Sequence, residues 1–167
     1  MSTITTDTTA HVWDALGRVM DPEIPVVSVV EMGMVRDVAV AGRRATVTIL
    51  PTFTGCPAVP IIREDVAAAV ATVDGIEEVE VEFSYEPPWT SDRISEEGRG
   101  KLAGFGIAPP TGAGPVLIAD IGIPTNAVCP FCGSRQTNVE NPFGPTPCRA
   151  IYYCAACRNP FEVFKPV

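Results

Sequence analysis

The chain of 167 residues is 46 % hydrophobic, which is enough to fill a core and too much for disorder to be the default. Its formal charge of −8 argues against non-specific binding to nucleic acid or to an acidic membrane surface. That charge is uneven: residues 1–124 carry 8 basic and 18 acidic side chains, and residues 125–167 carry 4 and 2. An acidic body with a mildly basic tail reads as two modules.

The opening "MSTITTDTTA" is polar, with neither a basic nor an apolar signal region, and is expected not to be a signal peptide. No run approaches the roughly 18 apolar residues of a membrane helix, so a soluble, cytoplasmic protein is expected. In that reducing compartment its six cysteines read as metal ligands or working thiols, not disulfides.

Val12, Leu16 and Val19 recur at helical spacing and predict a first helix over 10–20. The "DPEIP" stretch at 21–25 ends it, since Pro22 and Pro25 do not fit a helix interior. Ser28 followed by Glu31 is a capping-box pattern that opens one short turn. Residues 34–40 and 44–50 read as strands joined near Gly42. A second helix is expected over 58–73, with Val59, Ile62, Val66, Val70 and Val73 on one stripe.

"EVEVEFSY" at 78–85 alternates as a strand with one wet face. The fold class is therefore α+β, a small α-β-β-α-β domain with a mixed sheet, followed by a C-terminal metal ribbon. Residues 91–106 predict a weaker helix interrupted by Gly98 and Gly100, and "GIAPPTGAGP" at 106–115 is a linker by composition. "VLIADIGI" at 116–123 adds a strand or leads into the tail. The boundaries follow as 10–105 for the first domain, 106–124 for the linker and 125–167 for the ribbon.

The strongest chemical signal lies in the tail. "CPFCG" supplies Cys129 and Cys132, and "CAAC" supplies Cys154 and Cys157. Each C-x2-C turn can aim two sulfurs at one ion, and two such turns complete a closed tetrathiolate. A segment this short cannot live on its apolar core alone, so bound metal would supply much of its folding free energy. Structural zinc, one per chain, is the expected occupant. Iron in the same geometry would make a rubredoxin-like electron carrier. Cys148, in "PTPCRA", is the spare thiol. It reads as a residue packed near the two turns or as a second metal or redox thiol.

Cys56 stands in "TFTGCPAVP", where an apolar run ends and a helical pattern begins. If Pro57 opens the helix, the free amides and the helix dipole favour a Cys56 thiolate. Gly55 permits close approach, and Thr52 and Thr54 offer hydroxyls. A lone cysteine at such a corner also serves as core or cap. Asp21 and Glu23 have the same two readings, as ligands or as solvated acids of a proline-braced turn.

"DPEIPVVSVVEMGMV", "TFTGCP" and "EPPWTSDRISEEGRGKL" together resemble the small domain of SufT-like iron–sulfur assembly factors. With "CPFCGSRQTNVENPFGPTPCRAIYYCAACRNPFEVFK" behind them, they resemble more narrowly the PaaD family of the phenylacetyl-CoA epoxidase system. One departure is Glu31-Met32, where assembly factors often carry Asp-Leu. The resemblance implies that Cys56 is a transient ligand for iron or an iron–sulfur cluster and adds weight to Asp21 and Glu23, while Thr54 and Cys148 complete the accessory candidates. It implies partners among the protein components of the epoxidase, its iron–sulfur reductase included.

No dinucleotide fingerprint, Walker A pattern or Glu-x-x-His pair of a di-iron oxygenase occurs, and His11 is the one histidine. An accessory factor for aerobic phenylacetate degradation, without catalytic activity of its own, is thus expected. Readings as a scaffolding component, with Trp89 and Phe143 as partner anchors, or as an electron carrier stay open. A nucleic-acid-binding ribbon is opposed by the acidic body. The open edge of a small sheet leaves room for a homodimer.

Overall fold

The computed structural model describes residues 3–110 and 127–165, so most of the expected linker and the apolar run at 116–123 lie outside the described residues. The chain divides into two compact units, Met1–Trp89 and Thr90–Val167. Among the described residues no helix is long and apolar enough to cross a membrane.

The first unit runs α1 (Thr3–Leu16), β1 (Val35–Ala41), β2 (Arg44–Ile49), α2 (Val59–Ala71) and β3 (Glu78–Phe83). The expected α-β-β-α-β order with a mixed sheet is present. β1 and β2 are antiparallel, and β2 and β3 are parallel, in the order β1-β2-β3. The antiparallel pair needs only a two-residue turn, and Gly42 takes its left-handed position at φ +62°. The parallel pair needs a crossover, which α2 supplies.

Alternation along the strands puts Val38, Val47 and Val81 in one row of the core face. α1 covers that face with Val12, Ala15 and Leu16, and α2 with Ile62, Val66 and Val70. α1 begins and ends earlier than the spacing predicted. After Leu16 the chain turns through Gly17, and Val19 packs from beyond the helix.

The capping-box prediction at Ser28 is met by both of its bonds. The Ser28 amide donates to Glu31 Oε2 at 2.8 Å, and the Glu31 amide donates to Ser28 Oγ at 3.1 Å. Trp89 is not a surface anchor. It is 4 % exposed, and its indole Nε1 donates to the Met32 carbonyl at 2.8 Å, which removes it from any contact surface.

The second unit holds a short 3-10 turn (Ser91–Arg93), α3 (Glu96–Gly104), β4 (Ile107–Ala108), β5 (Thr137–Asn141), β6 (Arg149–Cys154) and β7 (Pro160–Phe164). The weak helix expected over 91–106 is thus split in two. Ser95 caps α3 by accepting from the Gly98 amide at 3.0 Å. β4 falls in the stretch expected to be linker and pairs in parallel with β7. The four strands form one sheet in the order β4-β7-β6-β5. Its core is Tyr152, Phe161, Val163 and Ala150, closed at one end by Cys129 and Cys154.

Candidate metal centre and thiol site

Two short turns build the four-cysteine cluster, and their backbones repeat one pattern. In the first, the Gly133 amide donates to the Cys129 carbonyl at 2.9 Å, and the Cys129 amide donates to the Ser134 carbonyl at 2.9 Å. In the second, the Arg158 amide donates to the Cys154 carbonyl at 2.8 Å, and the Cys154 amide donates to the Asn159 carbonyl at 3.0 Å. Both turns need a left-handed residue just after the second cysteine. Gly133 fills it at φ +72° and Arg158 at φ +61°.

An L side chain in that conformation costs about 1–2 kcal/mol. Gly133→Ala should therefore lower the stability of the ribbon, by somewhat less than that because alanine is stiffer when unfolded, and open space around the position adds no clash. Arg158→Gly should instead raise stability, by somewhat less because glycine is freer when unfolded. Thermal denaturation of the metal-loaded protein checks both signs.

The turns bring Cys129, Cys132, Cys154 and Cys157 together with all four Sγ atoms within 4.8 Å of one another. Two cross-turn separations are 3.7 Å (Cys129–Cys157) and 3.6 Å (Cys132–Cys154). A tetrahedron with metal–sulfur bonds of about 2.3 Å has edges of about 3.8 Å. Two edges match that figure and the others lie within 4.8 Å, so the donor set suits a tetrathiolate ion.

Backbone amides reinforce it. Those of Phe131 and Cys132 point at the Cys129 sulfur, Ser134's at Cys132 and Asn159's at Cys157. Without an ion, four thiolates cannot coexist so close. The Ser134 amide favours a Cys132 thiolate, but desolvation and the neighbouring sulfurs outweigh it and push Cys132 up to about 12. Burial opposes the Cys157 thiolate, yet the Asn159 amide and the other three sulfurs bring it down to about 7.

Cys148 lies elsewhere. It precedes β6 while Cys154 ends that strand, so about 20 Å of extended chain separates them. Its thiol lies 3.1 Å from Thr146 Oγ1. The expectation that Cys148 packs near the two turns is corrected by β6, which carries it to the opposite end of the ribbon.

In the first unit, Cys56 sits between β2 and α2. The helix begins at Val59 with Ala58 as N-cap, two residues later than Pro57 would have placed it. The Ala58 and Val59 amides still point at the Cys56 sulfur. They do not prevail. Burial pushes the half-buried thiol up, with the Glu23 and Asp21 carboxylates adding to that effect. The expected thiolate is thus a neutral thiol at this corner.

The same electrostatics place Cys56, Asp21 and Glu23 in one neighbourhood, which the sequence proposed as separate candidates. Asp21 has a structural duty as well. Its Oδ1 accepts from the Glu23 amide at 2.8 Å and the Ile24 amide at 3.0 Å, which fixes the proline-braced turn. Thr54 is exposed on the loop, and Thr52 is buried beside it.

Two family models match the chain in tandem, the iron-sulfur cluster assembly protein domain over residues 9–83 and the PaaD zinc beta ribbon domain over 118–165. A protein of Escherichia coli (strain K12), described as one of the subunits of 1,2-phenylacetyl-CoA epoxidase, is 34 % identical over 165 residues, covering 99 % of this chain and 97 % of that one. The chain belongs to the PaaD family.

Its first domain has relatives of its own. An Fe-S protein maturation auxiliary factor of Porphyromonas gingivalis is 42 % identical over 83 residues, which is 49 % of this PaaD-family chain and 78 % of the relative. The crystal structure of a domain of unknown function, DUF59, from Bacillus anthracis superposes with a TM-score of 0.57 at 31 % identity, covering 61 % of this chain and 97 % of that one. The PaaD-family chain thus joins an assembly-type domain to a ribbon with a four-cysteine cluster, which fits an accessory role.

Sequence reasoning missed Arg158 and Asn159, which complete the second turn. The spacing of Cys157-Arg158-Asn159 repeats Cys132-Gly133-Ser134, and aligning the two cysteine pairs would have found them.

Proposed function

We propose that this chain is a maturation factor for the phenylacetyl-CoA epoxidase system, assisting assembly of an iron or iron–sulfur centre in a partner protein. The observation that carries the reading is the full-length similarity to a component of that epoxidase, because it spans both modules in one order. Similarity of residues 9–83 to iron–sulfur assembly proteins supplies the class of cargo.

Cys56 takes the role of transient ligand, with the Asp21 and Glu23 carboxylates adding negative charge at that corner. A soft sulfur beside carboxylates suits a borderline transition metal. The raised thiol suits a carrier, since the neutral group resists oxidation between deliveries and gives up its proton when the cation arrives.

Zinc bound by Cys129, Cys132, Cys154 and Cys157 holds the ribbon folded and offers a docking module. With four thiolates and no open position, such a site supplies structure and no reaction. The other epoxidase components, its iron–sulfur reductase among them, are the proposed recipients.

Deleting the gene in a host that grows on phenylacetate and purifying the epoxidase components tests this reading. Depleted iron and low specific activity in one component are expected. Components with full iron content would end it. A colourless ribbon with zinc, and not a red one with iron, is expected from cells grown with ample iron.

Acid should release the metal. Binding needs thiolates, and Cys132 near 12 must lose its proton to the ion at any neutral pH. Below about 7 Cys157 is protonated in the free protein too, so each further unit of acid displaces more protons. Apparent affinity then falls tenfold per unit per proton. Retention above neutrality and release that steepens below pH 7 are expected from a chromophoric chelator assay.

A further inference from the structure

We propose that Cys132 is a modification site, the sulfur at which a peroxide opens the metal centre, and that its oxidation closes a Cys132–Cys154 disulfide and releases the ion. The two cysteine turns repeat one backbone, but they do not present their sulfurs alike. The first cysteine of each turn is sealed in the ribbon core, Cys129 at 1 % exposure and Cys154 at 0 %. The second lies further out. Cys157 is half-buried and packs against that core, whereas Cys132 is exposed.

The neighbours of Cys132 leave it so. Phe131, before it, is itself 54 % exposed and commits its ring to Gly106, where its Cζ lies 3.1 Å from the position a Cβ would take. Gly133, after it, has no side chain and open space around it. The second turn sets Arg158 at the matching place after Cys157. The left-handed glycine that suits the first turn thus also removes the side chain that would stand next to its sulfur.

Bound metal holds all four sulfurs as thiolates, and cysteine oxidation follows thiolate character and exposure. Among four thiolates on one ion, exposure is the difference that remains. The Cys132 thiolate attacks one oxygen of the peroxide, the O–O bond breaks, and hydroxide leaves, which gives a sulfenic acid at Cys132.

Cys154 Sγ stands 3.6 Å from Cys132 Sγ, so the second attack needs no path from solvent. The Cys154 thiolate displaces hydroxide from the sulfenic sulfur and forms the S–S bond. Two thiolates have then given up two electrons, and one hydrogen peroxide has become two hydroxides. Zinc changes no oxidation state and keeps two of its four ligands, too few to close a structural site. Cys154 also ends β6 and belongs to the ribbon core, so losing the ion there unfolds the ribbon. A dithiol reductant, oxidised in turn to its own disulfide, returns both thiolates for a new ion.

Full-length, zinc-loaded protein treated with less than one equivalent of hydrogen peroxide tests this. Zinc release is read with a chromophoric chelator, and the state of each cysteine by alkylation and peptide mass mapping. One ion freed per peroxide consumed, and a first cross-linked peptide pair holding Cys132 and Cys154, are expected. A short pulse of iodoacetamide on the untreated zinc-loaded protein should label Cys132 at least about tenfold faster than Cys129 or Cys154, since alkylation follows the same exposure. Dithiothreitol with added zinc should restore the metal. Cys148→Ala, which lacks the spare thiol of the ribbon, should release zinc at the wild-type rate.

A first disulfide between any other two cysteines would overturn the proposal, as would equal labelling of the four ligands. So would zinc that stays bound while Cys56 or Cys148 is oxidised, or release that stops in Cys148→Ala.

Discussion

Cys154→Ala should strip the metal from the ribbon and unfold it. Cys154 is fully buried at the end of β6 and contributes both a sulfur to the cluster and side-chain volume to the core. Three thiolates do not close a structural site, and metal binding in small modules of this kind is worth about 10–16 kcal/mol. The rest of the ribbon core is Tyr152, Phe161, Val163 and a few alanines, too little to stand alone.

The expected result is a metal-to-protein ratio falling from about one to near zero, with loss of amide protection across β5, β6 and β7. The α-β-β-α-β unit, with its own core of Val12, Leu16, Val47, Ile62 and Val66, should keep its protection. Cys148→Ala is the control, since that thiol stands a strand's length away and should retain the metal. Full metal content in Cys154→Ala would refute the tetrathiolate assignment.

Cys56→Ala should leave the fold intact and abolish delivery. The sulfur is half-buried in a loop, outside the hydrophobic rows of the sheet, so the cost in stability should stay at about 1 kcal/mol, the centre of the range for single substitutions. The functional loss should be large, because Cys56 is the one thiol among the described residues of the first unit. In a strain carrying only this variant, iron in the recipient epoxidase component should fall to the level of the gene deletion.

Cys56→Ser separates ligation from packing, since it keeps the size and removes the soft donor. It should fail like alanine. Unchanged partner iron in both variants would remove Cys56 from the mechanism while leaving the accessory role itself to the deletion experiment.

Much of this protein is legible in residue order. Strand and helix periodicity places all five elements of the first unit, because one face of each is buried and the other wet, and that contrast is written along the chain. The C-x2-C pairs declare a metal cluster, because two sulfurs at that spacing can serve one ion. The capping box at Ser28 and Glu31 is equally local, and both its bonds are present.

What the sequence misses depends on distances across the chain. Trp89 reads as exposed because its neighbours are polar and proline-rich, yet Met32, 57 residues away, receives its indole hydrogen bond. Cys148 is close to the cysteine turns in sequence, and only the run of β6 carries it to the far end. The state of Cys56 escapes for the same reason. Helix amides are a local signal, but the burial that raises the thiol is not, and the two carboxylates beside it come from a segment some thirty residues earlier.

Residue order alone determined which elements form in the first unit and which sulfurs can share an ion, since both are set by neighbours within a turn or two. Tertiary structure alone decided which thiol is neutral, which aromatic is buried and which ring stands exposed. Those properties depend on solvent exclusion, and exclusion is set by the parts of the chain that fold back onto a site.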